Sequence, residues 1–120
     1  MQPGQDVSQP IFPAQPVLTS PSDTTIVGQQ AAFVCVAWRG EKAASLQSDT
    51  LDVISSMLSN GRAGLFDTNL NQPMKVMAAQ SFCQTQHDYS SFVLYCVPRQ
   101  GQTLEEVKDL MLAQLDNLKK

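Results

Sequence analysis

Apolar residues recur at helical spacing over positions 51–70, on both sides of a glycine-containing turn. Leu51, Ile54, Met57 and Leu58 follow at three- and four-residue intervals, which puts them on one face of a helix that Ser48 is placed to cap. Asn60-Gly61 supplies a left-handed residue to end it. Leu65, Phe66 and Leu70 continue the stripe along a second helical piece until Pro73, which has no amide hydrogen to donate. The pattern predicts two helices meeting at Gly61-Arg62-Ala63-Gly64.

Upstream, positions 31–38 are continuously apolar, with Phe33, Cys35 and Ala37 on one face and Val34, Val36 and Trp38 on the other. Apolar residues on both faces predict a strand buried within a sheet, ended in solvent by Arg39-Gly40-Glu41-Lys42. Before it, the β-branched residues 24–27 suit a short strand broken by Gly28. Downstream, residues 74–85 read as extended, with Val76, Ala78 and Phe82 on one side. A polar turn at 86–90 leads into an apolar strand at 92–97, so these two segments are expected to form an antiparallel hairpin closed by Pro98.

The last pattern is helical and carries its own start signal. Thr103 and Glu106 have the spacing of a capping box, in which hydroxyl and carboxylate each satisfy an amide of the first turn. Val107, Leu110, Met111, Leu115 and Leu118 form the buried stripe, with acids early and Lys119-Lys120 late, matching the helix dipole. The order β-α-α-β-β-α predicts an α+β two-layer sandwich, helices on one face of a small mixed sheet. In it the first and second strands run parallel. Helix and chain stop together at Lys120, so the sequence reads as an incomplete unit whose open sheet edge invites self-association.

Composition narrows the possible partners. The 120 residues (13.1 kDa) allow one domain at most, and 42% hydrophobic residues suffice for a core. Residues 1–23 hold five of the seven prolines together with Gln2, Gln5, Gln9 and Gln15, and read as a linker or tail ahead of a partial domain at 24–120. A net charge of −3 and a pI near 4.8 disfavour phosphate backbones and anionic lipid. No apolar run reaches the ~20 residues of a membrane span, and no export signal is visible, so a soluble chain without a membrane partner is expected.

Candidate chemistry is sparse. Cys35, Cys83 and Cys96 lie in apolar strands without a C-x-x-C pair and read as buried free thiols, with a Cys83–Cys96 bridge as the alternative if the hairpin sets them opposite one another. His87 is the single histidine, too few for a hydrolytic zinc site. His87-Asp88-Tyr89 invites comparison with a proton relay, but its polar turn suits a solvated loop. Cys83 with His87 has the elements of a thiol nucleophile and base, against which stands the strand position of the cysteine. Glu105-Glu106 is accounted for by capping, and Asp49 with Asp52 by the negative first turn of a helix.

A G-x-x-G loop between two helices in this element order is also how KH domains clamp single-stranded nucleic acid. One cation in the loop and an acidic pI oppose that reading.

The strand ending Ala37-Trp38-Arg39-Gly40 offers a more specific resemblance, taken together with the helix from Leu51 through Leu58-Ser59-Asn60-Gly61-Arg62-Ala63-Gly64-Leu65-Phe66 and the later Pro98-Arg99-Gln100-Gly101-Gln102-Thr103-Leu104-Glu105-Glu106-Val107. As a set, these segments resemble the insulinase (pitrilysin) family of zinc metallopeptidases, in particular bacterial members whose non-catalytic repeats carry a similar turn. The resemblance spans about 31–120, the first part of one repeated α+β unit. It implies a clam-shell of homologous units around a peptide-degrading chamber, with zinc held elsewhere in the parent by an H-x-x-E-H helix and a further glutamate. No H-x-x-E-H occurs here, so no catalytic residue, metal ligand or cofactor is carried over. Nor does the arginine and tyrosine with which family members often grip substrate occur at 70–77. The implied role is a non-catalytic structural segment of the substrate chamber, inactive in isolation, whose partners are the remaining units of the parent and, through them, peptide substrate. The alternative is an independent module, KH-like or protein-binding.

Overall fold

The computed structural model describes residues 11–119 and is an α+β fold with one three-stranded antiparallel sheet. Strand β1 (Val34–Gly40) leads to helix α1 (Leu46–Leu58), a π-helical turn (Asp67–Asn71), strands β2 (Ala78–Thr85) and β3 (Ser90–Val97), and helix α2 (Leu104–Leu118). Gln2, Gln5, Gln9 and Lys120 lie outside the described residues. Residues 11–33 form neither helix nor strand, so the expected strand at 24–27 is absent, and 11–32 are exposed.

The sheet order is β1-β3-β2, and both pairings are antiparallel. β1 and β2 do run in the same direction, as the crossover requires, but β3 lies between them. The sheet is therefore antiparallel rather than mixed. β1 occupies an edge instead of the interior, and it extends through Arg39 and Gly40, which pair with Ser91 and Ser90.

Register explains which strand face became the core. Val34, Val36 and Trp38 share a face with Cys96, Leu94 and Phe92 of β3 and with Ala79, Ser81 and Cys83 of β2. The helices pack on that face alone: Leu58 of α1, Phe66 just before the π-helical turn, Leu70 within it, and Val107 and Met111 of α2 are fully buried against Leu94 and Cys96. Leu51, Ile54, Leu110, Leu115 and Leu118 flank this cluster, whereas Met57 is half exposed. Val76 belongs to the same core, at 2% exposure, while Ala78 and Phe82 point to the opposite face. Cys35 and Ala37, expected inside, are exposed on that opposite face.

Two serines join α1 to the sheet. Ser81 Oγ donates to the Ser55 carbonyl (2.9 Å) and lies 3.3 Å from Ser55 Oγ, so both buried hydroxyls are satisfied. The N-cap of α1 is Ser45 rather than Ser48. Ser45 has extended backbone and accepts from Ser48 N–H, which leaves Ser48 inside the first turn and 2% exposed. The helix ends at Leu58 with Ser59 extended, and the left-handed residue, Gly61 at φ +80°, follows two positions later.

The capping box of α2 is formed as its spacing predicts: Glu106 N–H donates to Thr103 Oγ1, and Thr103 N–H donates to Glu106 Oε2, each at 3.2 Å. Thr103→Ala is expected to cost about 1 kcal/mol, read as a lower urea midpoint at unchanged m-value.

Candidate functional site

The turn between α1 and the π-helical region carries a dense set of hydrogen bonds from its backbone amides to side chains of the chain itself. Asp67, 6% exposed, turns its carboxylate back into the loop. Its Oδ2 accepts the backbone amides of Asn60 (3.0 Å), Gly61 (2.9 Å) and Gly64 (3.2 Å). The remaining two amides, of Arg62 and Ala63, donate to Asn60 Oδ1 at 3.0 and 2.9 Å. Every amide from Asn60 to Gly64 is thus taken by a side-chain oxygen of the chain itself. Gln72 Nε2 donates to the Arg62 carbonyl (2.8 Å) and closes the loop from outside.

Asn71 extends this network to the sheet. Its Nδ2 donates to the Ala79 carbonyl (2.9 Å) and to Asp67 Oδ1 (3.3 Å), and its Oδ1 accepts Ala79 N–H (2.8 Å). The side-chain amide serves Ala79 as a neighbouring strand would. Burial alone would raise the Asp67 pKa, but the hydrogen bonds from Asn60, Asn71, Gly61 and Gly64 outweigh it and hold the carboxyl below its usual value.

This arrangement bears directly on the nucleic-acid reading. A G-x-x-G loop that grips phosphate must present its amides outward, and here Asp67 and Asn60 already occupy them. Periodicity could not reveal Asp67, because its role depends on how the loop folds back. The available signal was an acid three residues after the second glycine, at the start of a helical stripe.

The other candidates stay apart. His87 Nδ1 lies 2.7 Å from Asp88 Oδ1, but the pair is exposed at 94% and 69% on the side chains. Cys83 sits opposite Phe92, whereas Cys96 sits opposite Ala79, so the two thiols are not cross-strand partners and both are free. Partial burial first, then the Asp52 carboxylate, pushes the Cys83 thiol pKa up, the reverse of what a nucleophile needs. Burial raises that of Cys96 to about 11. Asp52 accordingly faces Cys83 as well as an open groove of about 630 Å³, lined by Val53, Met57, Ala63, Leu65 and Leu118. Ser56 and Asp52 both line that groove, but the Ser56 hydroxyl donates to the Asp52 backbone carbonyl (3.1 Å), as serines within helices do, rather than to the carboxylate. Among the described residues, no three His, Cys, Asp or Glu side chains are placed to hold a metal ion, and no helix is long and apolar enough to cross a membrane.

Comparison with known proteins gives a family match. The sequence model of the family described as the Peptidase M16 inactive domain aligns with residues 3–120, which takes in the proline-rich stretch as well as positions 31–120. No curated protein and no solved structure matches.

Proposed function

The chain belongs to the Peptidase M16 inactive-domain family, the non-catalytic unit of the insulinase/pitrilysin type, and from that premise we propose that it forms part of the wall of its parent's peptide-degrading chamber. In this reading hydrolysis and zinc belong to another unit of the parent, and these residues contribute shape. The observation that carries it is the closed loop at 60–64. The most ligand-like feature of the sequence spends all five of its amides on Asp67 and Asn60, as a structural hinge would. The edges of β1 and β2, which pair with no further strand among the described residues, offer backbone to neighbouring units or to a second copy of the chain.

Two assays on the purified chain test this reading. Fluorogenic peptides should remain intact with zinc supplied, and chelator-sensitive hydrolysis by the chain alone would overturn the proposal. Single-stranded RNA should show no salt-dependent anisotropy change. A salt-sensitive affinity abolished by Arg62→Glu would favour the KH-like alternative instead.

A further inference from the structure

The sheet face turned away from the helices carries an apolar row with no element packed over it. Register aligns Phe82, Val93 and Ala37 across β2, β3 and β1, with Gln84, Ser91 and Arg39 in the next row on that face. Beyond the apolar row, Phe33 lies against Tyr95, ring centroids 5.2 Å apart. Phe82 is 42% exposed and Ala37 is also exposed, while Val93 between them is 8% exposed. Contiguous apolar surface of this kind marks a place where something docks.

The Arg39 end of that face is where the N-terminal segment is fastened. Gln15 N–H donates to the Tyr89 hydroxyl (2.7 Å), and the Arg39 guanidinium, stacked 5.2 Å from the Tyr89 ring centroid, donates to the Pro16 carbonyl (2.6 Å). Just before this anchor stand Ile11 and Phe12, 97% and 76% exposed. Rows on one sheet face are about 7 Å apart along the strands, and the three residues from Gln15 back to Phe12 reach about 10 Å. The tether therefore spans one row and little more. Pro13 and Pro16 have a fixed φ, which lowers the entropy lost when the segment settles.

We propose that residues 11–14 act as a strap that closes over the open sheet face and seats Phe12 on the row Ala37–Val93–Phe82. The structure holds it open. Tethering favours this occupant over a free one, because a short link keeps Phe12 at an effective concentration on the order of millimolar. The face also lacks charge beyond Arg39, so it has no electrostatic means of drawing a separate partner. Closed, the strap withholds the face from other apolar surfaces.

A double-mutant cycle on the whole chain tests the strap, with Phe12→Ser and Ala37→Lys as the single changes and thermal midpoint as the readout. Both positions are exposed, so neither change disturbs the core, and circular dichroism checks that the fold persists. The expected result is a midpoint lowered by several degrees by Phe12→Ser in wild type and unchanged by it in the Ala37→Lys background. Nuclear Overhauser contacts between the Phe12 ring and the Ala37 or Val93 methyls should appear at all protein concentrations. Additive effects, or no effect of Phe12→Ser, would overturn the proposal. So would contacts that appear only as concentration rises, which would assign the face to a second copy.

Discussion

Gly64→Ala is expected to destabilise the chain by at least about 3 kcal/mol, toward the upper end of what overpacking costs. A Cβ at Gly64 would lie 2.5 Å from the Leu58 carbonyl oxygen, 2.7 Å from its carbon and 2.8 Å from Ser59 N. All three are backbone atoms at the end of α1, so no rotamer change relieves the contact. Moving Leu58 is equally unfavourable, because its side chain is fully buried. The loop must open instead, which pulls Gly64 N–H from Asp67 and disturbs the network that holds the turn. For a domain of this size the thermal midpoint should fall by roughly 12 °C or more.

Gly61→Ala provides the contrast. Its φ of +80° strains any residue with a side chain, yet nothing lies within 4 Å of the added Cβ. The cost should be about 1 kcal/mol, from conformation alone. Urea titration of both variants ranks the two effects. A Gly64→Ala midpoint equal to that of wild type, or a larger loss at Gly61, would mean that close approach does not govern this turn.

The contrast between these glycines also shows what could be read from the chain directly. Thr103 and Glu106 sit three residues apart, and both partners of the capping box lie within one turn, so α2 was legible in full. The hairpin of β2 and β3 was legible for a similar reason, since its turn is local. β1 was not. A run apolar on both faces says that water is disfavoured, but not what covers each face, and Phe33, Cys35 and Ala37 proved to lie on the uncovered side. Nor does sequence order tell β3 to pair with β1 as well as β2, because that pairing joins residues 50 or more positions apart. Ser45 and Ser48 are chemically equal caps, and only the backbone turn at Ser45 decides between them. The hinge glycines were visible as a motif, while the acid that organises them was not, since a carboxylate facing backward into a loop leaves no periodic trace.

Asp67→Ala should be comparably damaging, at about 3–5 kcal/mol, because it removes the acceptor of three amides at once. Asn60, Gly61 and Gly64 would each need a new partner in a turn whose other acceptor, Asn60 Oδ1, is already engaged by two donors. Asn71 would also lose one of its contacts and loosen its hold on Ala79. Asp67→Asn keeps the shape but exchanges a charged acceptor for a neutral one, so its loss should be smaller. The pH dependence separates charge from shape. The folded-state pKa of Asp67 lies below its ordinary value, so the carboxylate's contribution is complete above the unfolded pKa of about 3.9 and fades as pH falls through the folded pKa. In urea titrations from about pH 7 down to about pH 2.5, the stability gap between wild type and Asp67→Asn should hold above about pH 5 and narrow below about pH 4. A gap that stays constant through the acid range would show that geometry rather than ionisation at Asp67 secures the turn, and the closed loop would then owe its stability to Asn60 and Gln72.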